Sequence, residues 1–254
     1  MSTLTRLLIL VAVLCAAADA GQVDVPRGVN HEAYDRLLKK YVNDRGLVNY
    51  SGWKKSDEDL KALRDYLAQF DKPAPFADGN EKAASLINAY NALTIQWILD
   101  NYPTKSIKAT SNPWGAKRWR VGGRVVSLDE IEHDTLRPLL GYRVHAGLVC
   151  AAKSCPPLRN AAYEPDQPRS ERGKLEAQLD ERMMVWLARD DLNRFVPDKD
   201  RVELSKIFDW YGKDFGDVRA VLAKYAPDWK GKFDIEFRRY DWELNEQPPV
   251  KASR

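Results

Sequence analysis

The chain has 254 residues, a length that allows one large domain or two small ones. With 44% apolar and 30% charged residues, its composition is that of an ordinary soluble globular protein. The formal net charge of +3 is small and carries no block of one sign, so we expect no nucleic-acid partner. The sequence contains no motif that calls for a cofactor.

Residues 1–20 differ in kind from the rest of the chain. Arg6 precedes an apolar run at 7–18, and a small-residue cleavage signal follows. We predict a signal peptide cleaved before Gly21, and therefore a periplasmic or secreted protein. The apolar run is shorter than the ~20 residues that span a bilayer, so we expect no stable membrane span after cleavage. A lipid anchor on Cys15 is the less favoured alternative, because a leucine precedes it where lipobox patterns want a small residue.

Hydrophobic periodicity places the secondary structure. Helices are predicted over 31–42, 56–70, 81–101, 171–188 and 217–225, with further helices opening after Ser127 and Ser205. Strands are predicted over 144–149 and 233–237 and in hairpins at 118–127 and 195–204. Residues 21–30 are expected to form a loose leader, and 47–50 a short extended piece. Helices first, then alternating strands and helices, predict a single α+β domain that is helix-rich, with a small, mostly antiparallel sheet.

Residues 143–157 hold the side chains best suited to chemistry near neutral pH, namely His145, Cys150 and Cys155. We expect the apolar strand at 144–149 to deliver them to a small-residue turn that two prolines then stop. Once the signal peptide is removed, these two cysteines are the only ones left, in a compartment that oxidises thiols.

Two helices carry further candidates. The helix over 81–101 is apolar almost all the way round, which indicates burial, yet it contains Asn88, Tyr90 and Asn91. The favoured interpretation is that both amides tie the helix to a neighbouring loop or strand, and the alternative is that they orient a reactive group. The helix that opens at Ser127 with a capping box carries Glu132, His133 and Arg137, and a surface polar patch is their plainest interpretation. His133 and Arg137 lie four apart and therefore share a face.

Four segments resemble motifs of the DUF547 family. They are Asn-Ala-Tyr-Asn-Ala-Leu at 88–93, Ser-Leu-Asp-Glu-Ile-Glu-His at 127–133 with Leu-Arg at 136–137, the His-to-Pro segment at 145–156, and Tyr-Asp-Trp-Glu-Leu-Asn at 240–245. The family is one of unknown function, so the resemblance implies sites worth testing and no reaction. Ala146-Gly147 replaces the family's Phe-Ala. Ala151 stands where the family has glycine, which argues against a positive-φ turn just after Cys150.

The resemblance covers about residues 80–245 and divides the chain. We predict a signal peptide at 1–20, an N-terminal helical part at 21–79, a DUF547-like core at 80–245 and a polar tail at 246–254.

The first functional hypothesis is a thiol enzyme with hydrolase or acyl-transfer-like chemistry. Cys150 would be the nucleophile, His145 or His133 the base, and Asn88 or Asn91 the group that orients the imidazole. In a regular strand His145 and Cys150 would face opposite sides, so a direct pair between them needs a bulge, with Gly147 the candidate position.

The second hypothesis is a non-enzymatic ligand-binding or scaffold domain in which Cys150 and Cys155 form a disulfide. The small residues between them allow the segment to fold back far enough. In either case the partner is an unknown small-molecule or peptide ligand, and Tyr90, Glu132, Arg137, Ser154 and Cys155 are candidate binding residues.

A metal site is the third and least favoured alternative. The candidate ligands are Cys150, Cys155, His133 and His145. Their C-x₄-C spacing lies at the wide end of zinc patterns, and no H-x₃₋₅-H pair accompanies it. We therefore predict no metal.

Overall fold

A computed structural model describes residues 21–165 and 173–248 of the chain. The predicted signal peptide and Cys15 lie outside the described residues. In the described ranges, no helix is both long enough and apolar enough to cross a membrane.

Helices dominate the described chain. The α-helices are α1 (Glu32–Tyr41), α2 (Tyr50–Lys54), α3 (Asp57–Ala68), α4 (Gly79–Asp100), α5 (Arg137–Leu140), α6 (Val144–Gly147), α7 (Lys174–Leu187), α8 (Lys206–Trp210), α9 (Gly212–Phe215) and α10 (Val218–Tyr225). A π-helical segment, Glu130–Leu136, leads directly into α5. The sequence thus predicts the long helices correctly, to within a few residues at their ends.

The strands are short and form two small sheets. They are β1 (Trp119–Val121), β2 (Arg124–Val126), β3 (Arg194–Val196), β4 (Arg201–Leu204) and β5 (Asp234–Phe237). β1 and β2 form the predicted antiparallel hairpin, and β3 pairs antiparallel with β4. β5 adds to β4 in parallel. The predicted α+β class is confirmed, with one parallel pair among otherwise antiparallel strands.

Helix α4 is the axis of the larger hydrophobic core. Every residue from Ala83 to Gln96 is buried, as the continuous apolar pattern predicts. With 22 residues it is about 33 Å long at 1.5 Å per residue, and it packs against α2, α3 and the π-helical segment. A second apolar cluster gathers around α7, β4, α8 and α10. Loops that cross α4 therefore pack against a buried helix.

The predicted strand at 144–149 is wrong. Val144–Gly147 is a helical turn, α6, and the chain becomes extended only from Leu148. A short apolar run fits a buried helix as well as a strand, and all four residues of this turn are buried. Because α6 is not a strand, His145 and Cys150 need not face opposite sides, and no β-bulge at Gly147 is needed to bring them together.

Three smaller predictions also need correction. The 21–30 segment is not loose, since Val23 and Val25 are fully buried. The expected extended piece at 47–50 runs into helix α2, because the side chain of Asn49 caps that helix through the Gly52 N–H. Strand β5 is mostly exposed rather than half-buried.

Candidate functional site

The candidate site is a cavity of about 400 Å³, a size typical of small-molecule sites. Six of the residues singled out from the sequence line it: Tyr90, Glu132, His133, His145, Cys150 and Cys155. They come from α4, the π-helical segment, α6 and the loop that follows α6. The fold therefore brings together residues from separate motifs at a single cavity.

The two cysteines lie side by side, and no disulfide bond joins them in the structure. Their Sγ atoms are 2.6 Å apart, and the hydroxyl of Tyr240 lies 3.3 Å from Cys150 Sγ and 3.1 Å from Cys155 Sγ. The backbone N–H of Cys150 donates to Cys155 Sγ at 3.2 Å. The loop between them folds back as the small residues allow, with the two sulfurs as neighbours.

The two thiols do not share a negative charge equally. Burial opposes ionisation of Cys155, but hydrogen bonds from the Cys150 thiol and the Tyr240 hydroxyl outweigh it, and the pKa of Cys155 is lowered. The hydrogen bond to Cys155, together with burial, raises the pKa of Cys150 well above its usual value. The two groups titrate as a coupled pair, and their hydrogen bonds favour the negative charge on Cys155 over Cys150.

The turn after Cys150 needs a backbone conformation that alanine rarely adopts. Ala151 has φ +60°, in the left-handed region. The expectation that alanine at this position argues against such a turn is therefore wrong. The turn is held from outside, because Asn245 N–H donates to the Ala151 carbonyl at 3.0 Å and Lys153 N–H donates to the Glu243 carbonyl at 2.7 Å.

Ser154 also helps to hold the cysteine loop from outside, and it is not among the residues that line the cavity. Its hydroxyl accepts the backbone N–H of Asp241 at 2.8 Å, and its own N–H donates to the Asp241 carbonyl at 3.2 Å. The motif at 240–245 thus fixes the cysteine loop along most of its length.

His145 forms the second part of the site. It is only 4% exposed, its Nε2 lies 2.8 Å from Asp214 Oδ2, and its ring stacks on Tyr211 with centroids 4.1 Å apart. Burial lowers the pKa of His145 to about 4, against the raising effect of Asp214. The imidazole is therefore neutral near pH 7. With its Nε2–H donated to Asp214, the lone pair is on Nδ1, so the ring can accept a proton.

Arg137 holds Asp214 in place. Its guanidinium donates to both carboxylate oxygens, at 2.7 and 2.8 Å, and this hydrogen bonding is the main reason why the pKa of Asp214 falls to about 2. Arg137 therefore supports His145 through Asp214 and does not itself line the cavity. The group that orients the imidazole is a carboxylate on α9, rather than Asn88 or Asn91.

His133 is fixed in one tautomer by the same arginine. Arg137 Nη1 lies 3.0 Å from His133 Nδ1, and because a guanidinium only donates, Nδ1 must accept. The neutral ring then carries its proton on Nε2, which lies 3.7 Å from Asp129 Oδ1. In this geometry His133 offers the cavity a hydrogen-bond donor and no basic lone pair.

Glu132 is presented by the π-helical segment. The Arg137 N–H donates to the Glu132 carbonyl, a longer reach than in an α-helix, and such segments recur at functional sites. Tyr90 donates its hydroxyl to Glu132 Oε2 at 2.9 Å. Burial raises the pKa of the Glu132 carboxyl despite the nearby His133 and the tyrosine hydrogen bonds.

Asn88 and Asn91 bind the backbone. Asn88 exchanges two hydrogen bonds of 2.8 Å with the backbone of Tyr163. Asn91 donates to the Gly147 carbonyl at 2.9 Å and accepts from the Val149 N–H at 2.9 Å. Both amides tie α4 to a loop, as the favoured interpretation states, and neither contacts an imidazole. Asn91 supports the site indirectly, since it fixes the chain between His145 and Cys150.

An aromatic wall completes the cavity, formed by Trp114, Trp210, Tyr240 and Trp242. Tyr240, Trp210 and Trp242 pack on one another. The Tyr240 ring centroid lies 4.8 Å from that of Trp210 and 4.5 Å from that of Trp242, and the two tryptophan rings are 5.8 Å apart. Trp114 meets Trp242 at 5.8 Å. The 240–245 motif carries Tyr240 and Trp242, for which the sequence alone predicts no role in the site. Asp214 lies on the one-turn helix α9, and no local sequence pattern indicates that it belongs to the site.

Among residues 21–165 and 173–248, no group of three or more His, Cys, Asp or Glu side chains is arranged to hold a metal ion.

Comparison with known proteins gives a family and no activity. No curated protein and no solved structure matches the chain. Residues 76–186 match the model of DUF547, described as a protein of unknown function. The matched segment includes α4, the π-helical segment and the cysteine loop, and it ends before Asp214 and most of the aromatic wall. The family that the chain resembles by its motifs is thus supported over residues 76–186 as DUF547.

Proposed function

We propose that the cavity is the active site of an enzyme that hydrolyses or transfers an acyl group, with Cys150 as nucleophile. One observation carries the proposal: an imidazole held by a carboxylate lines the same cavity as two cysteines whose sulfur atoms lie 2.6 Å apart. A nucleophile, a neighbouring base and a group that orients a base are the parts that covalent acyl transfer requires.

The thiol pair supplies the first step. Cys150 is the more exposed of the two, so its sulfur attacks the carbonyl carbon while its proton passes to the Cys155 thiolate 2.6 Å away. A C–S bond forms and the carbonyl electron pair moves to oxygen. When the tetrahedral species collapses, the bond to the leaving group breaks and the leaving group takes the proton from Cys155. The product is a thioester on Cys150.

His145 serves the second step. A water molecule attacks the thioester carbonyl while His145 accepts one of its protons, and the C–S bond then breaks. The imidazolium returns that proton to the thiol pair, which regains its starting state. Asp214, kept ionised by Arg137, stabilises the transient positive charge. An acceptor other than water would make the same steps a transferase reaction.

A binding domain without chemistry is the competing function. Its supporting observation is the aromatic wall, which would hold a ligand whether or not a thiol reacts. In that case Cys150 and Cys155 would form a disulfide in the mature protein.

Location belongs to the same proposal. The signal-peptide pattern at 1–20 supports a periplasmic or secreted enzyme, whose mature chain begins at Gly21. The intact mass of protein recovered from its own compartment tests this. A mass that retains residues 1–20 would contradict it.

Thiol chemistry and turnover test the function together. The wild-type protein and the Cys150→Ser, Cys155→Ser and Asp209→Asn variants would be assayed with a panel of p-nitrophenyl esters and with iodoacetamide. Asp209 is a matched control, since it lies near the site on α8, pairs with Lys206 and does not line the cavity. We expect ester turnover that Cys150→Ser abolishes and that Asp209→Asn leaves intact. Wild-type protein that has free thiols but neither turns over any ester nor reacts at Cys150 would overturn the proposal.

A further inference from the structure

We propose that the natural substrate of the cavity carries an ammonium or quaternary ammonium group, which the aromatic wall and Asp129 bind. This inference rests on the proposed function, because it names the substrate class of that site.

The lining is acidic. Asp129 and Glu132 both line the cavity, and no lysine or arginine is among the described residues that do so. Asp129 has no lysine or arginine partner within the described chain, and the His133 Nε2 atom lies 3.7 Å from its Oδ1. A positively charged ligand would therefore meet a complementary charge without displacing a lysine or arginine from Asp129.

The rings of the wall are those that attract cations most strongly. The negative face of an indole or phenol ring binds an ammonium group within about 6 Å, and clusters of such rings recognise quaternary ammonium ligands. Two rings at this cavity already accept cations of the chain, because Lys108 Nζ lies 4.8 Å from the Trp242 ring and the Arg137 guanidinium lies 5.0 Å from the Tyr211 ring. Trp210 is 47% exposed, so part of its ring surface is open to a ligand.

Both carboxyl groups of the lining have pKa values above their usual range. Burial raises the pKa of Asp129, with His133 opposing it, and burial also raises that of Glu132. A cation bound beside them would favour the ionised forms and lower both values. Binding should therefore weaken as the pH falls and these carboxyl groups take up protons.

The volume also fits a substrate of two parts. In about 400 Å³ the cavity has room for an ammonium group against the wall and a carbonyl group at the thiol pair. Tyr240 belongs to both regions, since its ring is part of the wall and its hydroxyl contacts both sulfurs. An ester or amide with a nearby ammonium group would thus place its carbonyl at Cys150.

Calorimetry on a variant that lacks both thiols measures ligand binding separately from catalysis. The Cys150→Ser/Cys155→Ser double variant would be titrated with choline and with 3,3-dimethyl-1-butanol, its uncharged isostere. We expect choline to bind at least about tenfold more tightly than the alcohol. In the same background Asp129→Asn should weaken choline binding several-fold, and Asp209→Asn should leave it unchanged. Equal binding of the two probes, no binding of choline, or no effect of Asp129→Asn would overturn the inference.

A second readout separates this inference from the proposed function. The wild-type protein would be assayed with acetylcholine and with 3,3-dimethylbutyl acetate. A kcat/KM at least about tenfold higher for the charged ester supports both claims. Equal kcat/KM values for the two esters would overturn the ammonium inference and leave the acyl-transfer proposal standing. Tight choline binding without turnover of any ester would support the ammonium inference and contradict the acyl-transfer proposal.

Discussion

Arg137 donates to both carboxylate oxygens of Asp214, at 2.7 and 2.8 Å, across 77 positions of the chain. The same guanidinium also meets His133 Nδ1 at 3.0 Å. One arginine thus orients both histidines of the cavity, one directly and the other through a carboxylate. Since Arg137 belongs to the 127–137 motif and Asp214 lies beyond the matched family segment, the site joins two parts of the chain.

Asp214→Asn tests this relationship. An amide cannot hold a positive charge on His145, so we expect kcat for ester hydrolysis to fall by ~10² or more, with a smaller change in KM. The free energy of unfolding should fall by ~1–3 kcal/mol, because the guanidinium of Arg137 loses its charged partner. Asp209→Asn is the matched control in both kcat and urea-unfolding measurements. A variant with unchanged kcat would exclude His145 as a group that Asp214 activates.

Tyr240→Phe removes one hydroxyl that donates to the thiol pair. We expect the pKa of Cys155 to rise, because one of the hydrogen bonds that lower it is lost. The rate of alkylation by iodoacetamide should fall near pH 7 and recover towards the wild-type rate at higher pH. Tyr142→Phe is the control, since the hydroxyl of Tyr142 faces Tyr225 and lies outside the cavity. An unchanged pH profile for Tyr240→Phe would contradict the proposed charge on Cys155.

Stability should decrease in mild acid because of two histidines. The pKa values of His31 and His145 are lowered by burial from 6.5 to about 4, so between these values the unfolded chain binds more protons than the fold does. Their contribution is complete above pH 6.5 and is lost as the pH falls towards 4. For the well-buried His145 the loss amounts to ~3 kcal/mol at most. Asp129 and Glu132, whose pKa values are raised, offset part of this loss.

Urea unfolding at a series of pH values between 4 and 7 measures this effect. His31 contacts Tyr66 and Ser85 outside the cavity, so His31→Gln should reduce the pH dependence by about half without changing the thiols. A free energy of unfolding that stays constant or rises as the pH falls from 6.5 to 4 would contradict the assignment of both imidazoles as neutral.

Asn91→Ala should lower the free energy of unfolding more than an ordinary surface substitution does. It leaves the Gly147 carbonyl and the Val149 N–H without their partner in a buried setting, which costs ~1–3 kcal/mol for each group. We also expect slower ester hydrolysis, because these bonds fix the chain that leads to Cys150. Asn88→Ala is the comparison, since it should lower stability similarly through Tyr163 and affect hydrolysis less.

Local patterns in the sequence predicted most of the helices and the α+β class. The capping box at Ser127 is present as expected, with the Ser127 hydroxyl accepting the Glu130 N–H at 3.1 Å and the Glu130 carboxylate accepting the Ser127 N–H at 2.8 Å. Periodicity could not distinguish strand from helix at 144–149, because the helix there is a single turn whose outcome depends on tertiary contacts. The π-helical segment has no periodicity of its own and could not be predicted.

The site was predictable only where a reactive side chain lay in a recognisable motif. His145, Cys150 and Cys155 fall in that class. The roles of Asp214 and of the wall residue Trp210 depend on how α8 and α9 pack against the helix that carries His145, and the sequence contains no local sign of that packing. The difference in charge between the two thiols depends on the hydroxyl of Tyr240, 85 positions away from Cys155.

Trapping the acyl-enzyme tests the central claim most directly. The His145→Ala variant, with Asp214→Asn as a second variant in case the first folds poorly, would be mixed with the best p-nitrophenyl ester and quenched in acid. Mass spectrometry would then locate the acyl group by peptide. We predict one acyl group per chain on Cys150, formed faster than it is hydrolysed, and none in Cys150→Ser. Free thiols that remain unmodified in both variants, while the wild type turns over the ester, would contradict Cys150 as the nucleophile.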